Sequence, residues 1–228
     1  MTEEGPAGQL PLALALEDHA LFETFFLPGQ GALLAAARDP QPPGLWIAGP
    51  RGSGKSHLLQ AMCAHRPERP VAYVSLATAP SPAMLEGLES MALVCLDDLQ
   101  AVAGADEWEH ALFRLVNGAS LAGATLAVAA TGAPAELGIR LPDLLSRCQA
   151  LTRFRLRPLD DEERVDALRA RAAFRGFDLP EDTARYLLRR VPRDMHRLTA
   201  LLDRLDAASL AASRRLTIPF VREVLGGA

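Results

Sequence analysis

Gly49-Pro50-Arg51-Gly52-Ser53-Gly54-Lys55-Ser56 is the stretch that decides the fold of this chain. It has the form G-x-x-x-x-G-K-[ST], and it lies between a short apolar run, Leu45 to Ala48, and a segment with helical pattern from Lys55 to His65. That order matters physically. Glycines let the backbone curl so that its N–H groups face inward, and the helix that follows adds the positive end of its dipole. Such a loop cradles phosphates, with Lys55 reaching the β- and γ-phosphates, Ser56 placed on a Mg²⁺ ion and His57 beside it. The expected cofactors are therefore ADP or ATP, with Mg²⁺; the sequence leaves open which nucleotide works. The competing reading is a Gly-rich turn that binds nothing.

Outward from this loop the chain alternates. Gly31 to Arg38 reads as a short helix closed by Asp39-Pro40-Gln41-Pro42-Pro43-Gly44. Strand patterns follow at Leu45 to Ala48, Val71 to Leu76, Leu93 to Leu96, Thr125 to Ala130 and, more weakly, Thr152 to Leu156. Helical stretches separate them, among them Glu107 to Asn117 and Leu141 to Arg147. Short apolar strands alternating with helices predict an α/β fold with a five-stranded parallel sheet flanked by helices. After Pro158 the strand signals stop. Asp160 and Glu163 form a capping-box start, Pro180 opens a further helix, and Met195, Leu198, Leu201, Leu202 and Leu205 make an apolar stripe. This predicts three parts: a leader over 1–18, an α/β nucleotide-binding domain over 19–157, and a small all-helical lid over 158–228.

A second acidic element supports the first. Leu93-Val94-Cys95-Leu96-Asp97-Asp98 ends an apolar strand in two carboxylates, and the carboxyl ends of parallel strands face the ligand crevice. Asp97 is the candidate to hold the Mg²⁺ shell and Asp98 to polarise an attacking water. Taken alone, two acids there would read as a solvated turn.

The bulk composition narrows the function. The 228 residues carry a net charge of -4, which argues against a broad nucleic-acid-binding surface. Of 24 basic residues only one, Lys55, is a lysine, which singles out a site that needs a compact ammonium. Cys63, Cys95 and Cys148 are odd in number, fit no zinc spacing and sit among apolar neighbours, as buried thiols in a reducing compartment do. The N-terminus has no signal-peptide pattern, and no apolar run approaches the ~20 residues that span a bilayer. The expected location is cytoplasmic, with no membrane partner.

Gly49–Ser56, Leu96-Asp97-Asp98-Leu99-Gln100 and Phe22-Glu23-Thr24-Phe25 resemble the DnaA-type initiators of the AAA+ superfamily. Such initiators continue into a C-terminal DNA-binding domain and have a longer N-terminal region, whereas here only Gly226, Gly227 and Ala228 follow Leu225. Both departures, together with Arg175-Gly176-Phe177-Asp178-Leu179-Pro180 and Leu216-Thr217-Ile218-Pro219-Phe220-Val221, are similar to the DnaA-related regulatory inactivators of that family. The resemblance implies a replisome-associated adaptor. It would bind the sliding clamp of DNA polymerase III through an N-terminal peptide, engage DnaA, promote its ATP hydrolysis and so block re-initiation. DNA would be reached only through the clamp, and AAA+ neighbours would associate head to tail.

The resemblance also assigns residues. Gln9, Leu10, Leu12 and Leu14 match the clamp-binding pattern, although such a segment can equally pack back on its own domain. Arg147 stands at the position of the arginine that acts in trans; the alternative is a surface pair with Asp143 at i,i+4. Thr131, just past the fourth strand, is a candidate γ-phosphate sensor or simply a turn cap. Phe22, Phe25 and Leu27 are candidates to wall the adenine, or ordinary core. Where the initiators place a nucleotide-contacting lid arginine, this chain has His196, flanked by Arg193 and Arg197. That substitution implies weak hydrolysis by the protein itself. The competing function is a helicase-loader-like ATPase acting on single-stranded DNA, which calls for a basic or aromatic tracking surface. A stand-alone initiator-like DNA binder is a third reading, and it lacks the C-terminal reader.

Overall fold

A computed structural model of the chain describes residues 20–26, 28–190, 195–212 and 216–226, and for residues 195–200 the backbone only. A single 3₁₀ turn, Phe22–Thr24, leads into α1 (Gly31–Arg38). Then come β1 (Gly44–Ala48), α2 (Lys55–Ala64), β2 (Val71–Ser75), β3 (Leu93–Asp97), α3 (Asp106–Ala122), β4 (Thr125–Ala130), α4 (Pro142–Ala150) and β5 (Thr152–Arg155). Four helices close the chain: α5 (Asp161–Phe174), α6 (Glu181–Arg190), α7 (Met195–Ala212) and α8 (Ile218–Gly226). The expected alternation is present, and α3 runs longer than its apolar pattern because Gly123, at φ 72°, supplies the left-handed stop only after Ala122.

The five strands form one parallel sheet in the order β2-β3-β4-β1-β5. The insertion of β4 between β1 and β3 brings together the ends of strands that are far apart in sequence. Register aligns Ala48 with Ala130 and Ser75 with Asp97, so Gly49, Thr131 and Asp98 all lie just past the same carboxyl edge. Side-chain alternation with period 2 then builds two cores. Trp46, Val94, Leu96 and Val128 meet Leu112, Leu115 and Leu144 of α3 and α4 on one face. Ile47, Cys95, Ala127 and Ala129 meet Leu58, Leu59 and Met62 of α2 on the other. Trp46 satisfies its buried indole by donating to the Gly132 carbonyl at 3.0 Å. The edge strand β5 exposes Thr152, Arg153 and Arg155, charges that protect a sheet edge from unwanted pairing.

The four C-terminal helices bury a third core of Val165, Leu168, Leu187, Leu202, Leu205, Phe220 and Val221. Asp160 caps α5, accepting from the Glu163 amide at 2.8 Å while Glu163 accepts from the Asp160 amide at 3.0 Å. These reciprocal bonds satisfy two orphan donors of the helix start. Arg185 of α6 reaches Glu162 of α5 and Glu181 of its own helix, tying the first two lid helices together. All three cysteines are buried and free, and burial pushes the Cys148 thiol up to about 12. Among the described residues no helix is long and apolar enough to cross a membrane.

Candidate functional site

A cavity of about 700 Å³ opens at the carboxyl edge of the sheet, a size suited to a small ligand. Its floor is the Gly-rich loop between β1 and α2. Gly52 and Gly54 take φ of 78° and 93°, conformations that need glycine. A Cβ on Gly54 would stand 3.0 Å from the Phe25 ring, and one on Gly49 would stand 2.7 Å from the Leu156 carbonyl oxygen. The loop is thus packed from both sides into one shape. Lys55 is 6% exposed, and its ammonium donates to the Gly49 carbonyl at 2.8 Å and the Pro50 carbonyl at 3.0 Å. Burial holds its pKa below the ordinary lysine value, against the opposing charges of Asp97 and Asp98. Arg51, Gly52, Ser53, Gly54, Lys55, Ser56 and His57 line the cavity; Gly49 and Pro50 serve it through the carbonyls that hold Lys55.

The acidic wall comes from β3. Asp97 is 1% exposed and accepts from the Tyr73 hydroxyl and from the Asp98 amide, each at 2.9 Å. Burial raises its pKa, opposed first by a hydrogen bond from the Ser56 hydroxyl, while Asp98 adds to the rise. Ser56 and Asp97 therefore present two hard oxygen donors to each other across the loop. Mg²⁺ at nucleotide sites takes one or two such donors and fills its shell with water and phosphate oxygens. The pair fits that requirement; among the described residues there is no group of three or more His, Cys, Asp or Glu that could hold a metal on protein ligands alone.

Asp98 occupies the left-handed region at φ 57°, unusual for a residue with a side chain. Its carboxylate accepts from the Gln100 side-chain amide at 2.8 Å, and the Gln100 carbonyl oxygen accepts from the Thr131 amide at 3.1 Å. Gln100 thus couples the acid after β3 to the polar residue after β4. Sequence reading gave it no role, since a 2-residue offset within a turn carries no chemical signature.

The other end of the cavity is more apolar, lined by Phe25, Phe26, Leu159 and Ala167 with Thr24 and His57. The rings of Phe25 and His57 lie 5.1 Å apart at 48°. His57 Nε2 lies 2.9 Å from the Leu21 carbonyl and 3.3 Å from the Thr24 hydroxyl. Burial lowers its pKa to about 4, with the Leu21 hydrogen bond opposing and the Arg171 charge contributing. The imidazole is therefore neutral at pH 7, and Nε2 is the nitrogen that carries the proton donated to Leu21.

Phe22 requires a correction to the expectation that it walls the base. It turns into the core, edge-on to His65 at 5.3 Å and 88°, beneath the Arg38 guanidinium at 5.4 Å. The 3₁₀ turn at Phe22–Thr24 leaves Phe22 fully buried in the α2 core, while Phe25 packs on the same core and also lines the cavity. Arg147 is exposed near the end of α4, outside the cavity, and among the described residues it forms no ion pair with Asp143 or any other acid. Its helix is anchored by Glu109 of α3, which is 2% exposed and accepts from the amides of Gly104 at 2.7 Å, Arg140 at 3.0 Å and Leu141 at 2.7 Å. Arg171 of α5 enters the cavity wall although nothing in the linear pattern marked it. The expected clamp-binding residues Gln9, Leu10, Leu12 and Leu14, together with Leu27 and Arg193, lie outside the described residues, as do the side chains of His196 and Arg197.

A phosphate-type loop after the interior strand β1, carboxylates at the end of β3, a five-stranded parallel sheet with β4 inserted between β1 and β3, and a helical lid together define an AAA+ nucleotide-binding fold. Residues 161–225 match the family described as the Hda lid domain, and residues 45–132 match a family described as RNA helicase. The chain thus joins a segment that matches the Hda lid model to a fold of the AAA+ kind. Its fold is similar to domain III of the replication initiation protein DnaA from Thermotoga maritima, at 23% identity and TM-score 0.71, covering 92% of this chain and 97% of that one. It is similar to AMPPCP-bound DnaA from Aquifex aeolicus at 21% identity and TM-score 0.65, covering 86% of this chain and 68% of that chain. It is also similar to the RuvB Holliday junction branch migration motor of Thermotoga maritima at 16% identity and TM-score 0.60, covering 86% of this chain and 65% of that one. At these identities the likeness speaks for the fold alone.

Proposed function

We propose that this protein is a regulatory adaptor that binds an adenine nucleotide, attaches to the DNA polymerase III sliding clamp and promotes ATP hydrolysis by DnaA, preventing re-initiation. The observation that carries the reading is an Hda-type lid on a DnaA-like AAA+ fold. In this reading the Gly-rich loop and Lys55 hold the phosphates, Ser56 and Asp97 hold Mg²⁺, and Phe25 flanks the base. When bound, the metal neutralises charge on the β- and γ-phosphates. In the same reading Asp98 polarises an attacking water and Thr131 senses the γ-phosphate, and their link through Gln100 supports a shared role. AMPPCP in the Aquifex aeolicus relative supports an adenine nucleotide as the ligand.

Arg147 acts outside its own site in this scheme. An exposed guanidinium on a helix anchored at its start can enter a neighbour's nucleotide site and stabilise charge spreading onto the transferred group. Gln9, Leu10, Leu12 and Leu14 supply the attachment to the clamp, and AAA+ packing supplies the head-to-tail geometry.

The test is reconstitution. Purified protein with DNA-loaded clamp is expected to accelerate ATP hydrolysis by DnaA, and removal of residues 9–14 is expected to abolish both clamp binding and acceleration. If the protein leaves the DnaA rate unchanged, the reading fails. Saturable, salt-sensitive binding to single-stranded oligonucleotides in the absence of clamp would favour the helicase-loader-like alternative instead.

A further inference from the structure

Arg147 shares its flank of the molecule with other exposed arginines. α4 reaches the edge strand β5 through Leu151 alone, so the last turn of the helix and the strand meet at one corner. Along β5 the side chains alternate between the two faces of the sheet. Phe154 and the following Leu156 turn into the core beneath α2. Arg153 and Arg155 therefore point to the other face, in line with Leu151, which packs in the core beneath α3 and α4. Their register partners Trp46 and Ala48 pack on that same core, and α4 is seated there by Leu144 and Cys148. Arg147, Arg153 and Arg155 are all exposed, and among the described residues none of them forms an ion pair or a side-chain hydrogen bond. The arginines that follow behave differently: Arg157 is paired with Glu163, Arg164 with Asp161, Arg175 with Asp203 and Arg185 with Glu162.

Resting on the adaptor reading above, we propose that Arg153 and Arg155 form a docking surface beside Arg147 for a carboxylate-bearing face of the AAA+ partner that receives that arginine. A guanidinium that enters a neighbour's nucleotide site brings its own flank against that neighbour, and Arg153 and Arg155 are the charged groups of β5 on that flank. Their Cα atoms lie about 6.6 Å apart, two residues along a strand. Clustered like charges repel one another, and a facing surface of opposite sign relieves the repulsion. Carboxylates suit guanidinium forks, which donate in pairs to two oxygens. A nucleic-acid backbone is the poorer fit, because its affinity grows with the number of phosphates neutralised. This flank offers only Arg147, Arg153 and Arg155, on a chain whose net charge is -4. The roles then divide. Arg147 acts on the rate within the complex, while Arg153 and Arg155 act on its formation, since charges at the rim of an interface set association rate and salt dependence.

The experiment titrates the full chain, with DNA-loaded clamp, into ATP-bound DnaA and reads ATP hydrolysis. Association of the full chain with immobilised DnaA, and with a double-stranded oligonucleotide, is measured alongside, at low and at physiological salt. Arg153→Glu combined with Arg155→Glu is expected to raise the concentration for half-maximal stimulation by about tenfold or more, to slow association with DnaA by a similar factor and to flatten its salt dependence. The rate at saturation is expected to stay at the wild-type value, whereas Arg147→Ala lowers that rate. Arg153→Lys combined with Arg155→Lys keeps the charge and is expected to associate at close to the wild-type rate. Thermal unfolding checks that each variant is folded; if the double Glu variant is not, Arg153→Gln with Arg155→Gln decides in its place. A folded variant with unchanged half-saturation and association overturns the docking role alone. Loss of oligonucleotide binding with an unchanged response to DnaA also overturns it and assigns the flank to nucleic acid. A wild type that associates with DnaA through these arginines without accelerating it keeps the docking surface and overturns the adaptor reading. A wild type that neither associates nor accelerates overturns both.

Discussion

The cavity at the carboxyl edge of the sheet and the outer end of α4 both carry functional charges, and they treat those charges in opposite ways. In the cavity the buried lysine and the two carboxylates of the phosphate wall are tied down. Lys55 is bonded to two carbonyls, and Asp97 to Tyr73 and the Asp98 amide. Asp98 is coupled through Gln100 to Thr131. On α4, Arg147 is exposed and held by nothing among the described residues except the helix it stands on. A group that serves a ligand in its own cavity gains from preorganisation, since donors already in place need no rearrangement when charge arrives. A group that serves a neighbouring molecule needs reach, so its fixing is moved one step back, to the buried Glu109 that anchors the start of its helix.

Four measurements would break or sharpen this contrast. Arg147→Ala should reduce stimulation of DnaA ATP hydrolysis by ~10³–10⁵, while ADP binding measured by calorimetry stays at the wild-type value. Stimulation at the normal rate would remove Arg147 from the scheme. Next in size, Glu109→Ala leaves three buried amides without their acceptor and should cost about 3 kcal/mol of stability in urea unfolding. An unchanged midpoint would show that water replaces the carboxylate. Lys55→Ala should weaken ADP by roughly 30-fold or more with Mg²⁺ present, as loss of a buried charged contact does. Undiminished affinity would mean that backbone amides alone carry the phosphate.

The smallest expected effect concerns pH. His57 titrates near pH 4 in the folded chain against an ordinary value of 6.5. Between those values the unfolded chain binds the extra proton, so the stability due to neutral His57 is present above pH 6.5 and lost as pH falls towards 4. Glu109 adds to the loss further down. Its carboxyl is desolvated, which alone would raise its pKa, but the amides of Arg140, Gly104 and Leu141 and the Arg140 charge outweigh that and hold it below 4.5. Stability from Glu109 is thus present above 4.5 and lost as pH falls below it. Unfolding free energies from urea titration at pH 7 and pH 5 should differ by about 2 kcal/mol through His57, and His57→Gln should flatten that limb. A limb unaffected by His57→Gln would assign the acid sensitivity elsewhere.

Local pattern was enough for the elements and for part of the site. The apolar run before Gly49, the Gly-rich loop and the helix after it state their own geometry, because the loop's shape is set by residues adjacent in the chain. The Asp160–Glu163 cap and the apolar stripe through Leu201, Leu202 and Leu205 are equally local, and the helices they imply are present. Two aromatic residues 3 positions apart, Phe22 and Phe25, read alike in the sequence; both pack against the α2 core, yet only Phe25 also lines the cavity.

What the linear order alone determined is which segments repeat with the period of a strand or a helix and where a phosphate-gripping loop interrupts them. Which distant residues meet was decided by the strand order, with β4 lying between β1 and β3, and by the seating of α5 beside the entry turn. Gln100 joining Asp98 to Thr131, Glu109 anchoring the helix of Arg147, and Arg171 entering the cavity wall all follow from that packing. Periodicity records how each segment presents its own faces to solvent and core; it carries no record of which other segment will cover them.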